Sequence, residues 1–551
     1  MQAGRLSCRR TAGSRQRDIW WRALVALIPV VASAYAGASG EVTVRLDPGR
    51  PGAAVSPLLL GTQCEFSSGG NLAALRQGDG WGALQELAPA VLRFPGGTPA
   101  YHYLWHAPKS SYAPAYVSEG ERLTTESFLA LCSDVGAEPL MQINTMIREG
   151  VQRGNIIPTH DYLNPRSEQE IEASAQAMAV AWIRAIKQST AALPRLWQIG
   201  NEDWTYYRAD EYARATSTYS SAIRAEHPSA RIIAVGLSGP KAGPFSLEWL
   251  SEDQRPPWWG ERMGIQNTLQ DWNGALARLP LGTYDLLSLH LYPAGKGEDT
   301  IQRYLSLTGG LRARLGEPID TVCRLLDEAG KADVNLAITE YATDFSTSVP
   351  GSGGAAGMEG FYYTQANGVA TADAIGRLVQ RSPRVQIGVL HSLFTMGTNW
   401  LWRENRLVKG KRPLQHPVWK AFSLWRGHLL QRLCPVTIEG SDSLDTPDGR
   451  VPCIGAWASI SADACALVLV HRDPSRECEV TIGQAPGAVA LSEPTASLLS
   501  GSGPGATNWA YDETGGYVVD TRPLKLTPTG AGQWRATLPP LAVLGVRWGR
   551  G

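Results

Sequence analysis

Between residues 58 and 390 the sequence repeats one rhythm: a short apolar run, a glycine or polar break, then a longer stretch with apolar residues every three or four positions. Runs of the first kind read as buried strands and the longer stretches as amphipathic helices. The alternation leaves few folds open, because strands always separated by a helix lie parallel in one sheet that those helices cover. The strand candidates are 58–62, 90–94, 139–143, 196–199, 231–236, 284–289, 336–340 and 385–390. Eight of them fit closure into a (β/α)8 TIM barrel, which places the chain in the α/β class. Between them, 125–135 reads as a helix stopped at Gly136, and Ser167-x-x-Glu170 as a capping box opening a stripe of Ile171, Ala175, Met178, Trp182 and Ile186. Asp210 caps a third helix with the stripe Tyr212, Thr216, Tyr219 and Ile223, ended by His227-Pro228.

A barrel of this type takes about 250 to 400 residues, so a chain of 551 residues holds a second domain. From about residue 431 helical periodicity disappears, and apolar segments such as 465–471 and 541–544 stand between Gly/Pro turns, the pattern of a β-sandwich. Residues 41–46 alternate Val42, Val44 and Leu46 with Thr43 and Arg45, an antiparallel half-exposed strand expected to join that sandwich. The expected organisation is therefore a leader over 1–36, the joining strand over 41–57, the barrel over 58–430 and a C-terminal β-sandwich domain over 431–551.

Lys plus Arg and Asp plus Glu both number 51, and the pI is near 7.1, so no field draws the chain to nucleic acid or an anionic membrane. An uncharged partner fits better. The 19 Trp offer apolar platforms of the kind that pack against the C–H faces of sugars. Arg5, Arg9, Arg10, Arg15 and Arg17 precede an apolar run over 23–31 and the small residues Ala32, Ala34 and Ala36, a secretory signal in form and too short to span a bilayer. A secreted or periplasmic location follows. Removing it takes Cys8 and leaves seven cysteines, of which Cys434, Cys453, Cys465 and Cys478 are close enough in sequence to supply one or two disulfides, while Cys64, Cys132 and Cys323 read as buried thiols. No CxxC, HExxH or tight Cys/His group is present, so no metal or other cofactor is expected.

The chemistry is sought at the strands' carboxyl ends, which in such a barrel all open on one face. The run 196–199 ends in Gly200-Asn201-Glu202, and the run 336–340 ends in Glu340. Two carboxylates facing one pocket are what cleavage of a glycosidic bond requires: one protonates the leaving oxygen while the other attacks the anomeric carbon from about 5 to 5.5 Å away in a retaining enzyme. Glu202 and Glu340 are the candidates. Asn201 is placed to bond the sugar's 2-hydroxyl, Arg93, His290 and Tyr292 to keep a carboxylate ionised, and Trp204 to exclude water from the acid. Each has a plainer reading alone: a rim glutamate in solvent, a simple salt bridge, a satisfied core histidine. Their convergence favours function, with Asp203, Glu211 and Asp344 as rival acids. The aromatic-rich excursion over 245–282 reads as a cleft-shaping insertion, and the glycine-rich 350–357 as a rim loop or lid, since it joins no strand directly to a helix.

Gly61-x-x-x-Glu65, Leu92-Arg93-Phe-Pro-Gly-Gly97, Trp197-x-Ile-Gly-Asn-Glu202, His290-x-Tyr292 and Thr339-Glu340-Tyr341 together resemble the glycoside hydrolases of clan A, and within it the family 51 α-L-arabinofuranosidases and related families 39 and 79. The resemblance spans about residues 41 to 551, since those families pair the barrel with a sandwich that takes in an N-terminal strand. It implies Glu202 as acid/base, Glu340 as nucleophile, Glu65, Asn201 and Asn144 as sugar-binding residues, an oligo- or polysaccharide substrate and release of arabinofuranose. Phe66 stands where family 51 usually has His, and Thr98-Pro99 departs from its pattern after Gly97. A β-xylosidase or β-glucuronidase-like activity is the alternative within the clan, and a non-catalytic carbohydrate-binding protein the alternative outside it.

Overall fold

The computed structural model describes residues 41–550 apart from 67–71, 74–75, 77–79, 98–99, 102, 107–121, 146–167, 190–192, 206, 239–270, 345–359, 394–414, 486–490, 510–514 and 531. The leader, the Ser167 end of the capping box, Trp249, Trp258 and Trp259, and the glycine-rich 350–357 lie outside the described residues.

A first strand, β1 (Val42–Leu46), stands apart from the barrel. The next eight close into it in chain order: β2 (Gly61–Gln63), β3 (Val91–Phe94), β4 (Glu138–Ile143), β5 (Leu196–Ile199), β6 (Arg231–Val235), β7 (Leu286–Leu291), β8 (Asn335–Tyr341) and β9 (Val385–Leu390). Every neighbouring pair is parallel, and β9 returns to β2 with Gly61 beside Val389. The first of these differs from the sequence reading. Pro57–Leu59 is a 3-10 turn capped by the Ser56 side chain, so only Gly61–Gln63 pairs as strand. Gly61 allows the close approach to β3, since a Cβ there would lie 2.8 Å from the Val91 Cβ.

Inside the barrel the side chains fall into layers of opposite character. Val91, Leu140, Leu196, Ile233, Leu286, Ala337, Ile387 and Val389 form one apolar cluster. Side chains alternate faces along a strand, so the residue two places on points the same way. On β3, β4, β5, β7 and β8 those residues are Arg93, Gln142, Gln198, Ser288 and Thr339, all fully buried, and with Gln63 they floor the mouth with polar groups, while β6 places Val235 there. The outer strand faces carry Leu92, Met141, Trp197 and Leu287 and pack on the helices.

The helix Thr125–Val135 ends at Gly136, whose φ of 70° is the left-handed cap a glycine supplies. In the helix Ala209–Glu226 the buried stripe includes Tyr212, Thr216, Tyr219 and Ile223. Its cap differs from the expectation: the Glu211 carboxylate accepts the Arg208 N–H, while Asp210 sits inside the first turn and pairs with Arg214. Asp210 is displaced because Glu at the third helical position reaches back to the cap, which Asp at the second cannot.

The remaining strands are β10 (Arg432–Cys434), β11 (Val436–Glu439), β12 (Ser443–Thr446), β13 (Gly449–Pro452), β14 (Ile454–Ile460), β15 (Ala464–His471), β16 (Cys478–Gln484), β17 (Thr495–Ser500), β18 (Asp520–Pro523), β19 (Thr527–Gly530), β20 (Gln533–Leu538) and β21 (Ala542–Gly549). One sheet runs β11-β1-β16-β20-β19 and another β10-β14-β15-β21-β17-β18, with β12 and β13 as a separate hairpin. β1 is antiparallel to β11 as expected of it, but parallel to β16, because no hairpin fixes the direction of a strand arriving from the far end of the chain. Val42, Val44 and Leu46 join a core with Leu467, Ile482, Leu544 and Trp548.

The seven described cysteines are all free thiols, so the disulfides expected among Cys434, Cys453, Cys465 and Cys478 are not formed. The Cys434 and Cys465 thiols lie close enough to interact, and the Cys434 Sγ donates to the Pro435 carbonyl at 3.7 Å. Arg472, just beyond β15, reaches the helix Gln365–Val379 and donates two hydrogen bonds to Asp373, both at 2.8 Å and both partners buried. Among the described residues no helix is long and apolar enough to cross a membrane.

Candidate active site

The polar floor rises into a cluster at the strands' carboxyl ends, with Arg93 at its centre. Its guanidinium donates to Gln63 Oε1 at 2.5 Å, Gln198 Oε1 at 2.9 Å, Asn201 Oδ1 at 2.6 Å and Glu340 Oε1 at 2.7 Å. A buried guanidinium needs this many acceptors, since each unpaired donor costs about 1–3 kcal/mol. Gln142 adds a second bond to Asn201 Oδ1 at 2.9 Å. Asn201 is thereby oriented with its oxygen toward the floor.

Glu340 reaches the mouth through a slip in register. Leu289 pairs with Ile338 but His290 with Glu340, so Thr339 is an extra residue on β8. Such a bulge re-aims side chains. Here it lets Thr339 and Glu340, though consecutive, both meet the same histidine: Thr339 Oγ1 lies 3.2 Å from His290 Nε2, and Glu340 Oε2 lies 3.4 Å from His290 Nδ1. Tyr292, two residues beyond His290, donates its hydroxyl to Glu340 Oε2 at 2.5 Å. Burial raises the Glu340 carboxyl, but positive charge at His290, Arg93 and His391 and the Tyr292 bond outweigh it and bring it down to about 2. Glu340 is therefore ionised across the neutral range. Burial pushes the Tyr292 phenol well above its usual value, so it stays a donor.

Glu202 stands opposite, its side chain 12% exposed, with Oε1 2.9 Å from His290 Nδ1. Glu202, His290 and Glu340 each offer an atom within 4.8 Å of the others. They are the one group among the described residues able to surround a metal ion, but the Arg93 cation and the Tyr292 hydroxyl already bond Glu340, which opposes a second cation there. The arrangement suits a pair of carboxylates acting on a neutral substrate.

Other predicted residues are placed differently. Trp204 is buried and packs edge-on against His290, with ring centroids 5.6 Å apart, so it walls the imidazole. Asn144 donates to the backbone oxygens of Tyr101 and Tyr103 and holds that loop. Glu65 lies at the rim, 3.8 Å from His391 Nε2 and bonded by Gln63 at 3.3 Å. Of the rival acids, Asp344 is buried in a two-bond pair with Arg303, Glu211 caps its helix and Asp203 is sealed below Glu202.

The sequence reading missed Tyr101, whose hydroxyl accepts the Glu202 N–H at 2.5 Å, and the floor residues Gln63, Gln142 and Gln198. A signal for the floor was present: Leu-Arg93-Phe, Met-Gln142-Ile and Trp-Gln198-Ile set one polar residue inside each of three successive apolar strands. Polar residues inside central strands are unusual enough to mark a polar interior. Tyr101 carries no such mark.

The family model of the α-L-arabinofuranosidase 1 domain matches residues 83–255. A curated relative, α-L-arabinofuranosidase C of Emericella nidulans, is 23% identical over 228 residues, which are 38% of this chain and 39% of that protein. The match thus spans about two fifths of the relative's length. Among solved structures, the α-L-arabinofuranosidase of Thermotoga maritima in complex with arabinose superposes with a TM-score of 0.67 at 20% identity, covering 93% of this chain and 100% of that one. The family 51 enzyme of Thermotoga petrophila gives 0.66 at 20% identity over 92% and 100%. That of Bifidobacterium longum gives 0.66 at 20% identity over 92% and 99%. The chain resembles the family 51 α-L-arabinofuranosidases of clan A, and its fold is theirs.

Proposed function

We propose that this chain is a retaining glycoside hydrolase that releases arabinofuranose from an oligo- or polysaccharide by double displacement. The observation that carries the reading is the approach of the Glu202 and Glu340 carboxyl oxygens to within 4.8 Å, both beside the same ring nitrogen, His290 Nδ1. That separation suits covalent attack; inversion needs about 6.5–9.5 Å so that a water fits between.

In the first step Glu340, held ionised, attacks the anomeric carbon while Glu202 gives its proton to the departing oxygen. In the second, Glu202 takes a proton from water, which breaks the ester to Glu340. Asn201 presents its amide N–H2 to the sugar, because Arg93 and Gln142 both occupy its oxygen, and a 2-hydroxyl bonded there is stabilised as charge develops on the ring. No cofactor enters either step. The basic, apolar and small-residue order of residues 5–36 supports export to where such glycans are met.

The test is the anomer formed first. Proton NMR of the product at early times, before mutarotation, is expected to show the substrate's configuration retained; the opposite anomer would exclude the covalent step. A panel of chromogenic glycosides separates arabinofuranosidase from β-xylosidase or β-glucuronidase activity, and turnover of none would leave the carbohydrate-binding alternative.

Tyr292→Phe gives a second prediction. Loss of one hydrogen bond to an ionised carboxylate is worth about 1.5–3 kcal/mol, which would raise the Glu340 pKa by about one to two units. Since Glu340 acts as its anion, the acid limb of kcat/KM then moves to higher pH by that amount. A pH profile with the limb unmoved would remove Tyr292 from the nucleophile's environment.

A further inference from the structure

We propose that Asp203 is a positioning residue that sets the direction from which Glu202 delivers its proton, an inference that rests on the glycosidase reading above. Asp203 itself is fully buried and faces no substrate. Its Oδ2 accepts the Asn201 N–H at 2.8 Å and its Oδ1 accepts the hydroxyl of Thr145, which stands just beyond β4. The Asp203 carbonyl accepts the Tyr207 N–H at 2.9 Å, and the Tyr207 hydroxyl donates to the Thr145 carbonyl at 3.0 Å. One side chain thus ties the turn after β5 to the end of its neighbour β4.

The turn is shaped around that carboxylate. Gly200 has a φ of 82°, in the left-handed region, and a Cβ at this position would lie 1.6 Å from Asp203 Oδ2. The glycine and the aspartate fit only as a pair. On the other side the Glu202 N–H is taken by Tyr101. The Asn201 and Glu202 backbones are therefore pinned from two directions, which fixes where the Glu202 side chain starts and how its carboxyl meets His290.

Keeping the acid there is unfavourable. Burial pushes the Asp203 carboxyl up to about 7, against the bonds from Thr145 and Asn201, while Glu202 beside it raises it further. Tyr207 and Tyr212 are the phenols nearby, and the Tyr212 hydroxyl is spent on the Ile199 carbonyl and the Val235 N–H. A turn that only had to fold would be served by a glycine and a small polar residue; a dry carboxylate with both oxygens engaged instead locks a geometry.

General-acid catalysis contributes about 10²–10⁴-fold, and a misplacement near 1 Å costs about 10²-fold. The experiment compares kcat/KM of wild type, Asp203→Ala and Asp203→Asn on two glycosides of the same sugar: a dinitrophenyl glycoside, whose leaving group departs unprotonated, and a methyl glycoside, whose leaving group requires the proton. Asp203→Ala is expected to lose about 100-fold on the methyl glycoside and little on the dinitrophenyl one. Asp203→Asn, which keeps an oxygen for the Asn201 N–H, is expected to recover most of the loss. The ratio of the two substrates does not depend on the fraction of enzyme folded. Equal losses on both, or none on either, would overturn the proposal. Wild-type enzyme inactive on every glycoside would sink the functional reading with it, whereas wild-type turnover with an unchanged ratio would sink this inference alone.

Discussion

Glu340→Gly is expected to reduce kcat by on the order of 10⁵-fold, the scale seen when a nucleophile is removed from a catalytic group that works as a unit. Without it, no ester forms and Glu202 has no carboxylate to work against. Azide should restore part of the rate by entering the vacated space, and because it attacks from the Glu340 side its glycosyl azide carries the inverted configuration. Glu202→Gly should behave as the mirror case: glycosylation of Glu340 still proceeds on activated substrates, and azide then attacks the ester to give the retained configuration. The two azide products assign the two roles independently of rate. Products of the same configuration from both variants, or with the configurations exchanged, would break the assignment of Glu340 as nucleophile. Glu340→Gln keeps one oxygen to accept from Arg93 and turns its N–H2 toward the Tyr292 hydroxyl, which can accept in turn, so it should bind the substrate within a few-fold of wild type while turning it over almost not at all.

Arg472→Met is expected to destabilise the protein by about 3–5 kcal/mol, the range for stripping one partner from a buried ion pair. Asp373 would be left fully buried, with Arg377 at 3.4 Å as the remaining ion-pair partner among the described residues. Arg472 also donates to the Pro452 carbonyl at 2.8 Å and lies over the Trp457 ring, so its loss loosens the sandwich loops as well as the barrel helix. Removing both charges, as Asp373→Leu with Arg472→Met, should recover much of the loss because no uncompensated charge remains. Urea unfolding curves of the three variants check this. A double variant no better than the single one would show that the hydrogen-bond geometry, and not the isolated charge, carries the effect.

The sequence was most informative where one period held over a whole element. The run 196–199 and the helix 125–135 coincide with the strand and helix observed, because a fully buried strand and a capped amphipathic helix leave little freedom in where they stop. The short first barrel strand was overextended by its neighbour: Leu58 and Leu59 are as apolar as a strand, but Pro57 behind Ser56 starts a turn there. Within the mouth, Glu202, Glu340, Arg93, His290 and Tyr292 could be gathered from the sequence because each sits at or inside a strand end. Thr339 could not, because a bulge is a two-strand property that one strand's pattern does not contain. Asp203 was legible as an acid but not as a buried one. Its burial depends on the left-handed turn at Gly200 and on Thr145, 58 residues earlier, and neither distance nor direction between them is written in spacing. The cysteines show a different limit: Cys434 and Cys465 do meet, through the pairing of β10, β14 and β15, which closeness in sequence does not contain.

The position of β1 has a consequence for how the molecule is made. It lies inside its sheet, between β11 and β16, so a segment synthesised before the barrel gains its hydrogen-bonding neighbours only when residues 436–439 and 478–484, beyond the barrel, have been produced. Until then Val42, Val44 and Leu46 have no core to enter, while the intervening barrel can assemble from contacts between successive elements. Completion of this sheet is thus a late closure joining the segments that flank the barrel in sequence. Shortening the chain before Leu46 would leave two strand edges open in the finished sheet, inviting the edge-to-edge association from which a paired sheet is protected.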